Sequence, residues 1–178
     1  MNYTENCTEL FLDDIVKIYP LAKGDLLHSM PAVLQTNTVL VTDLARIVNS
    51  SATPFASLTE LNTWLSGKQY FSEAPDDALG IQLREAATLR ISTDRNVSGY
   101  QHTITINLPT KYYHEEERLL IHRLERIGHD FVLVRQDGSL ILLRYFPPAQ
   151  KITHEADNAQ AQISVSMKNL TGMQDITE

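Results

Sequence analysis

The sequence predicts a mainly β (α+β) fold, an antiparallel β-sandwich or half-barrel with one flanking amphipathic helix, and three observations predict it. Apolar and polar residues alternate with period two from Ile81 to Ile91 and again from Tyr100 to Leu108, as half-buried strands require. Asp137-Gly138 stands between two apolar runs, the strongest short hairpin signal. Between these features lies a segment, 114–127, whose apolar residues recur at helical spacing.

Taken in order, the first 50 residues are the least patterned. Leu10-Phe11-Leu12 and Ile15 to Tyr19 are apolar pieces, and Pro20 and Gly24 punctuate the chain after them. Thr38 to Thr42 is rich in β-formers and reads as a strand. Asn49 to Pro54 reads as a loop by composition. Ser57-Leu58-Thr59-Glu60 is a capping box, in which the Ser57 hydroxyl accepts from the Glu60 N–H and the Glu60 carboxylate reaches back to the Ser57 N–H. Leu58, Leu61, Trp64 and Leu65 then mark a short helix over 58–66, closed by Gly67 at the position after the cap. Lys68 to Ser72 is a candidate short strand, and residues 74–80 a turn or loop.

Ile81, Leu83, Ala87, Leu89 and Ile91 share one side of the next strand, with a bulge or strand end expected at Glu85. Asp94 to Gly99 connects it to the strand Tyr100–Leu108, whose Ile104, Ile106 and Leu108 face one way, and Pro109 closes the hairpin. Glu115, Glu116 and Glu117 open the longer helix where its dipole favours negative charge. Leu120, Leu124 and Ile127 form the buried stripe of that helix, and Gly128 ends it. Phe131–Val134 and Leu140–Leu143 are apolar at consecutive positions, so both strands are expected to be covered on both faces. Pro147-Pro148 stops the second. His154 to Gln162, polar and Ala-rich, is the strongest candidate for disorder, and Ile163, Val165 and Met167 mark a last strand whose tail, Asn169 to Met173, returns to a loop. The expected organisation is a single domain, 1–178, with a less patterned N-terminal region (1–75) ahead of a β core (78–175).

Composition narrows the function classes. One cysteine, Cys7, permits no internal disulfide, and it reads as a small apolar residue. The start lacks the basic and apolar regions of a signal peptide, and no apolar run approaches the length of a membrane helix, so a fold made in the cytoplasm and no membrane partner are expected. A formal net charge of −7 repels phosphate backbones overall, limiting DNA to non-specific contact at most.

Residues that carry chemistry are present without the spacing that chemistry needs. His114, His122 and His129 lie eight and seven apart, too far along a helix to share one ion, so no metal site is expected. Asp76-Asp77 lacks the further oxygens of a calcium loop. Neither Ser66-Gly67 nor Ser98-Gly99 is a nucleophile elbow, and there is no glycine-rich phosphate loop, so neither a catalytic residue nor a cofactor is expected and the chain is read as no enzyme. Arg84, Arg90 and Arg95, with Lys111, are candidates for a basic stripe that meets a protein neighbour. Tyr112, Tyr113, Tyr145 and Phe146 lie beside loops as candidate interface anchors.

The succession of Ala78-Leu79-Gly80, the period-two strand, Thr93-Asp94-Arg95, Ile104 to Pro109, the acidic helix, Phe131 to Gly138 and Ile163 to Gly172 resembles small virion proteins of tailed phages of gut Bacteroides-like bacteria, including the crAss-like phages. More broadly it resembles the tail-tube and neck-protein architecture, over roughly residues 78–175. The resemblance implies assembly: copies joined side by side into a ring at the head–tail connector or in the tail tube, forming part of the DNA channel inside the virion. The partners it implies are further copies of the chain and neighbouring portal, neck or tail proteins. Strands would make the ring wall, and the Asp94–Gly99 connection, the 150–162 segment and the N-terminal third would grip the adjacent ring. An acidic wall fits a channel through which DNA must slide. The alternative is a non-catalytic bacterial binding or accessory module acting as a monomer or dimer.

Overall fold

The computed structural model describes residues 10–12, 14–28, 38–72, 81–85, 88–96, 99–109, 126–145, 150–156, 160–169 and 172–178. In chain order its strands begin with β1 (Leu10–Leu12), β2 (Ile15–Ala22), β3 (Leu27–His28), β4 (Thr38–Leu40), β5 (Leu44–Val48) and β6 (Ser51–Pro54). The helix α1 (Leu58–Leu65) follows, then β7 (Gln69–Ser72), β8 (Ile81–Glu85), β9 (Thr88–Asn96) and β10 (Gly99–Pro109). The chain ends with β11 (His129–Arg135), β12 (Leu140–Leu143), β13 (Gln150–Ala156), β14 (Gln160–Asn169) and β15 (Met173–Thr177). The fold is mainly β.

A seven-stranded sheet, ordered β4, β15, β12, β11, β2, β7, β8, lies in the middle. It is antiparallel except where β15 meets β4 and β7 meets β8. A five-stranded antiparallel sheet, ordered β1, β9, β10, β14, β13, covers one face. Ile18, Phe71, Phe131, Leu133, Ile141 and Leu143 of the first sheet share an apolar core there with Leu89, Ile91, Ile104, Ile106, Val165 and Met167 of the second. On the opposite face Tyr19, Leu21, Tyr70, Val132, Leu140, Leu142 and Ile176 pack against Val41, Leu44, Phe55, Leu61 and Leu65, from α1 and the small sheet β3–β5–β6 with its flanking residues. Each fully buried aliphatic or phenyl side chain stabilises the fold by about 1.5–3 kcal/mol. Adjacent residues of β11 and β12 therefore enter different cores. This is why their apolar residues run consecutively rather than alternating, as the sequence indicates.

Several expectations hold at residue level. Ser57 caps α1, its Oγ accepting from the Glu60 N–H at 3.2 Å, and Leu61 and Leu65 are its buried residues. The β9–β10 hairpin pairs Ile104 with Ile91 and Ile106 with Leu89. At the Asp137-Gly138 turn, the Gly138 N–H donates to the Arg135 carbonyl at 2.9 Å and Gly138 has φ of 86°.

Others are corrected. The stretch from Ile81 to Ile91 is two strands in different sheets: β8 of the central sheet ends at Glu85, where a strand end or bulge is expected, and β9 belongs to the five-stranded sheet. Asn49–Pro54 is half of a hairpin, not a loop. The Asp94–Gly99 connection is shorter than expected, because pairing runs to Asn96↔Gly99. The 154–162 segment lies largely in β13 and β14, and the tail after Asn169 leads into β15, which pairs with β12. The N-terminal region supplies β2, which sits between β11 and β7 in the central sheet. Neither Gly67 nor Gly128 takes a left-handed conformation; at the end of α1 the Gly67 and Lys68 N–H groups instead bond three residues back, to the Trp64 and Leu65 carbonyls. The predicted helix at 114–127 and Pro147-Pro148 lie outside the described residues, except Arg126 and Ile127. Ile127, expected in a buried stripe, is 45% exposed.

Candidate functional site, a projecting hairpin

The β5–β6 hairpin is built by pairing Ala45 with Pro54, Arg46 with Thr53, Ile47 with Ala52 and Val48 with Ser51. Asn49 and Ser50 form the two-residue turn with φ of 50° and 65°. Positive φ at both central positions is the type I′ geometry, whose twist matches that of the strands it joins. The base is fixed in the core: Leu44 and Phe55 are fully buried, and the Phe55 N–H donates to the Leu44 carbonyl at 2.9 Å. Beyond that base the hairpin leaves the body of the protein. Residues 47–52 are exposed without interruption, on both faces of both strands. Ile47 is 54% and Val48 39% exposed, and none of the six side chains is charged.

The hairpin is held to α1 by one carboxylate. Arg46 Nη2 donates to Glu60 Oε1, and the Ala56 N–H donates to Glu60 Oε2 at 2.6 Å. The Ala56 N–H and the Arg46 guanidinium hold the Glu60 carboxyl below the usual carboxylate range. The expected bond from the Ser57 N–H is thus replaced by one from the residue before it. The Arg46 guanidinium lies over the Phe55 ring, 4.7 Å from its centroid, and Phe55 meets Trp64 edge-on at 5.4 Å. Lys68 in turn lies over Trp64, 4.6 Å from the ring centroid.

A second polar group is buried. Arg144 and Asp130 face the α1 side of the central sheet and are 0% and 4% exposed. Asp130 Oδ1 accepts from the Tyr145 N–H at 2.7 Å, and Oδ2 lies 3.9 Å from His28 Nε2. Burial pushes the Arg144 pKa down, and the carboxylates of Asp130 and Asp43 raise it. His129, on the other face of the same strand, donates from Nδ1 to the Ile127 carbonyl at 2.6 Å. Arg144 and Asp130 are closed off from solvent, and Asp43 of the 3-10 turn at Val41–Asp43 adds a second negative charge near the guanidinium. Among the described residues no group of three or more His, Cys, Asp or Glu side chains is placed to hold a metal ion, and no helix is long and apolar enough to cross a membrane.

Of the interface candidates read from the sequence, the arginines fall on two sheets, Tyr145 follows β12, and the others lie outside the described residues. Arg84 is on β8 of the central sheet, whereas Arg90 and Arg95 are on β9 of the other. Arg90 is exposed. Tyr145 is half-buried, with its ring against Gly128. Lys111, Tyr112, Tyr113 and Phe146 lie outside the described residues. Sequence reasoning misses the projecting hairpin, because Asn49-Ser50 lacks the glycine that marks such turns. No protein family, curated protein or solved structure matches the chain.

Proposed function

We propose that this chain is a structural virion protein that oligomerises into a ring in the neck or tail tube of a tailed phage, where it forms part of the DNA channel. The observation that carries the reading is the β5–β6 hairpin, six exposed residues long, with Ile47 and Val48 in water. An ordered, uncharged protrusion that carries two exposed aliphatic side chains on a rigid base suits a contact between copies, because little ordering entropy remains to be lost on docking. The uncharged tip also suits a neighbour of the same kind. Two copies of a chain with net charge −7 repel, except where like charges are absent from the contact.

Two further features support side-by-side assembly. The five-stranded sheet has β1 at one edge and β13 at the other, so each copy offers two different edges on opposite sides. A strand edge presents N–H and C=O groups that a neighbouring strand can satisfy. Joining unlike edges head to tail gives a heterologous contact, which closes into a ring when the rotation permits. The acidic balance is compatible with a channel wall that does not retain DNA.

Light scattering on the purified chain, with negative-stain microscopy of the same fractions, tests the reading. A defined high-order ring is expected, and Ile47→Asp combined with Val48→Asp should disperse it without lowering the thermal midpoint of the protomer. A chain that stays a monomer or dimer at every concentration, alone and with a phage neck or tail ring supplied, overturns the reading in favour of a small binding module.

A further inference from the structure

Glu60 occupies the third position of α1, where a capping box would turn its carboxylate back to the N–H of the cap, Ser57. It does something else. One oxygen takes Arg46 in the middle of β5 and the other takes the Ala56 N–H, two residues past the end of β6. The first leg of the hairpin and the link between its second leg and α1 therefore meet on a single side chain, and that side chain stands on a helix packed against the central sheet through Leu61 and Leu65. The Arg46 guanidinium lies at the same time over the Phe55 ring. Charge-assisted hydrogen bonds of this kind are short and directional, so they set an angle as well as a distance.

We infer that Glu60 is the positioning residue of the projecting hairpin: its carboxylate ties β5, through Arg46, to the link from β6 into α1 and sets how Ile47 and Val48 are presented to a neighbouring copy. The presentation half of this inference rests on the self-association proposed above, whereas the clamp does not. Past the pairing of Ala45 with Leu27 of β3 and the bond between Phe55 and Leu44, residues 47–52 are exposed throughout. Without the clamp the tip keeps its own turn but loses its fixed direction. An arm free to swing loses more entropy on docking, so loss of the clamp weakens assembly without removing any residue from the contact.

The test compares the full-length chain with Glu60→Ala, Arg46→Met and Ser57→Ala by residue-resolved hydrogen exchange, with light scattering in parallel. Glu60→Ala should speed exchange of the hairpin amides between Ala45 and Thr53 about tenfold while those of β11 and β12 stay as in the parent. Arg46→Met removes the guanidinium, and with it one of the two ties and the contact over Phe55, and leaves the Ala56 tie; it should give the same pattern to a smaller degree, and it serves if Glu60→Ala does not fold. Ser57→Ala removes the acceptor of the Glu60 N–H and leaves both bonds of the carboxylate in place, so it should loosen α1 amides far more than those of the hairpin. Hairpin exchange that is unchanged in Glu60→Ala, or that rises only together with β11 and β12, overturns the clamp. If the parent chain forms no ring, the ring reading fails and exchange still decides the clamp. If hairpin exchange speeds up and the ring of Glu60→Ala is as stable as that of the parent, the presentation half is overturned.

Discussion

The ring of Tyr145 fills the space beside Gly128 so closely that a Cβ added there would lie 2.2 Å from Tyr145 Cε1 and Cζ. Neither partner gives way easily. The Gly128 carbonyl accepts from the Lys23 N–H at 2.9 Å, and the Tyr145 N–H is bonded to Asp130. Gly128→Ala should therefore destabilise the protein by about 1–3 kcal/mol, as overpacking does. Urea denaturation checks the size. Tyr145→Ala supplies the control: in that background Gly128→Ala should cost far less, because the two residues share one space and their effects do not add.

Asp130 and Arg144 are a buried charge pair of a different kind. Asp130→Ala removes the acceptor of the Tyr145 N–H and the larger of the two carboxylate charges, Asp130 and Asp43, that favour the charged Arg144 guanidinium. Removing one partner of a buried pair costs about 3–5 kcal/mol, whereas an apolar replacement of both is far milder. Asp130→Ala should thus lower the urea midpoint strongly, and combining it with Arg144→Met should recover part of the loss. A double variant no better than the single one would mean that Arg144 stabilises the sheet independently of Asp130.

What the sequence shows of this fold, and what it hides, depends on whether the deciding force is local. The cap at Ser57 and the turn at Asp137-Gly138 are local, and both are legible. So is the double covering of β11 and β12, because consecutive apolar residues such as Leu142 and Leu143 have no other use in a strand. The passage from β8 to β9 is not local: alternation records which side is apolar, and not which sheet the strand has joined. Gln150 to Ala156 is a polar edge strand whose partner, β14, makes it a strand at all. In β15, Gln174 is fully buried, so a buried position carries a polar residue and the alternation disappears. Arg144, following Leu143, reads as the solvent end of a strand and is in fact inside. The interface candidates Arg84 and Arg90 are close in the chain, and the sheet change after Glu85 parts them. The hairpin tip is hidden because projection is a matter of where the body of the protein ends, which no window of sequence records.

Acid should act on this protein through exposed carboxylates held by their own neighbourhoods. Glu60 is held low by the Ala56 N–H and Arg46, and Asp137 by the hydroxyl and N–H of Ser139. A carboxyl whose folded pKa lies below its unfolded one contributes stability that is present above the unfolded value and lost as pH falls through the folded value. Stability should accordingly decline on the acid side, starting near the ordinary carboxylate range and continuing below it. Glu60→Gln and Ser139→Ala should each flatten that decline in denaturation curves taken across the range. High salt should shrink the Glu60 part, since Arg46 acts there through charge. An acid limb identical in all three proteins would show that these groups are not its source.

The turns at Asn49-Ser50 and Asp137-Gly138 reach positive φ by different means, and the difference predicts a stabilising substitution. Gly138, with φ of 86°, adopts it without a side-chain clash; Ser50, with φ of 65°, does not. Left-handed backbone costs a residue with a Cβ about 1–2 kcal/mol. Ser50→Gly relieves that strain and creates Asn-Gly, the preferred pair for a type I′ turn. The added freedom of the unfolded chain takes back about 0.5–1 kcal/mol. The balance is a gain of about 0.5 kcal/mol, visible as a small rise in urea midpoint with unchanged slope. Gly138→Ala should go the other way, by about 1 kcal/mol, since the new strain outweighs the entropy that the unfolded chain loses with its glycine. Ser50→Gly leaves Ile47 and Val48 in place, so the hairpin should be firmer with its apolar tip intact. A lower midpoint for Ser50→Gly would mean that the Ser50 side chain contributes more at the tip than its backbone strain costs.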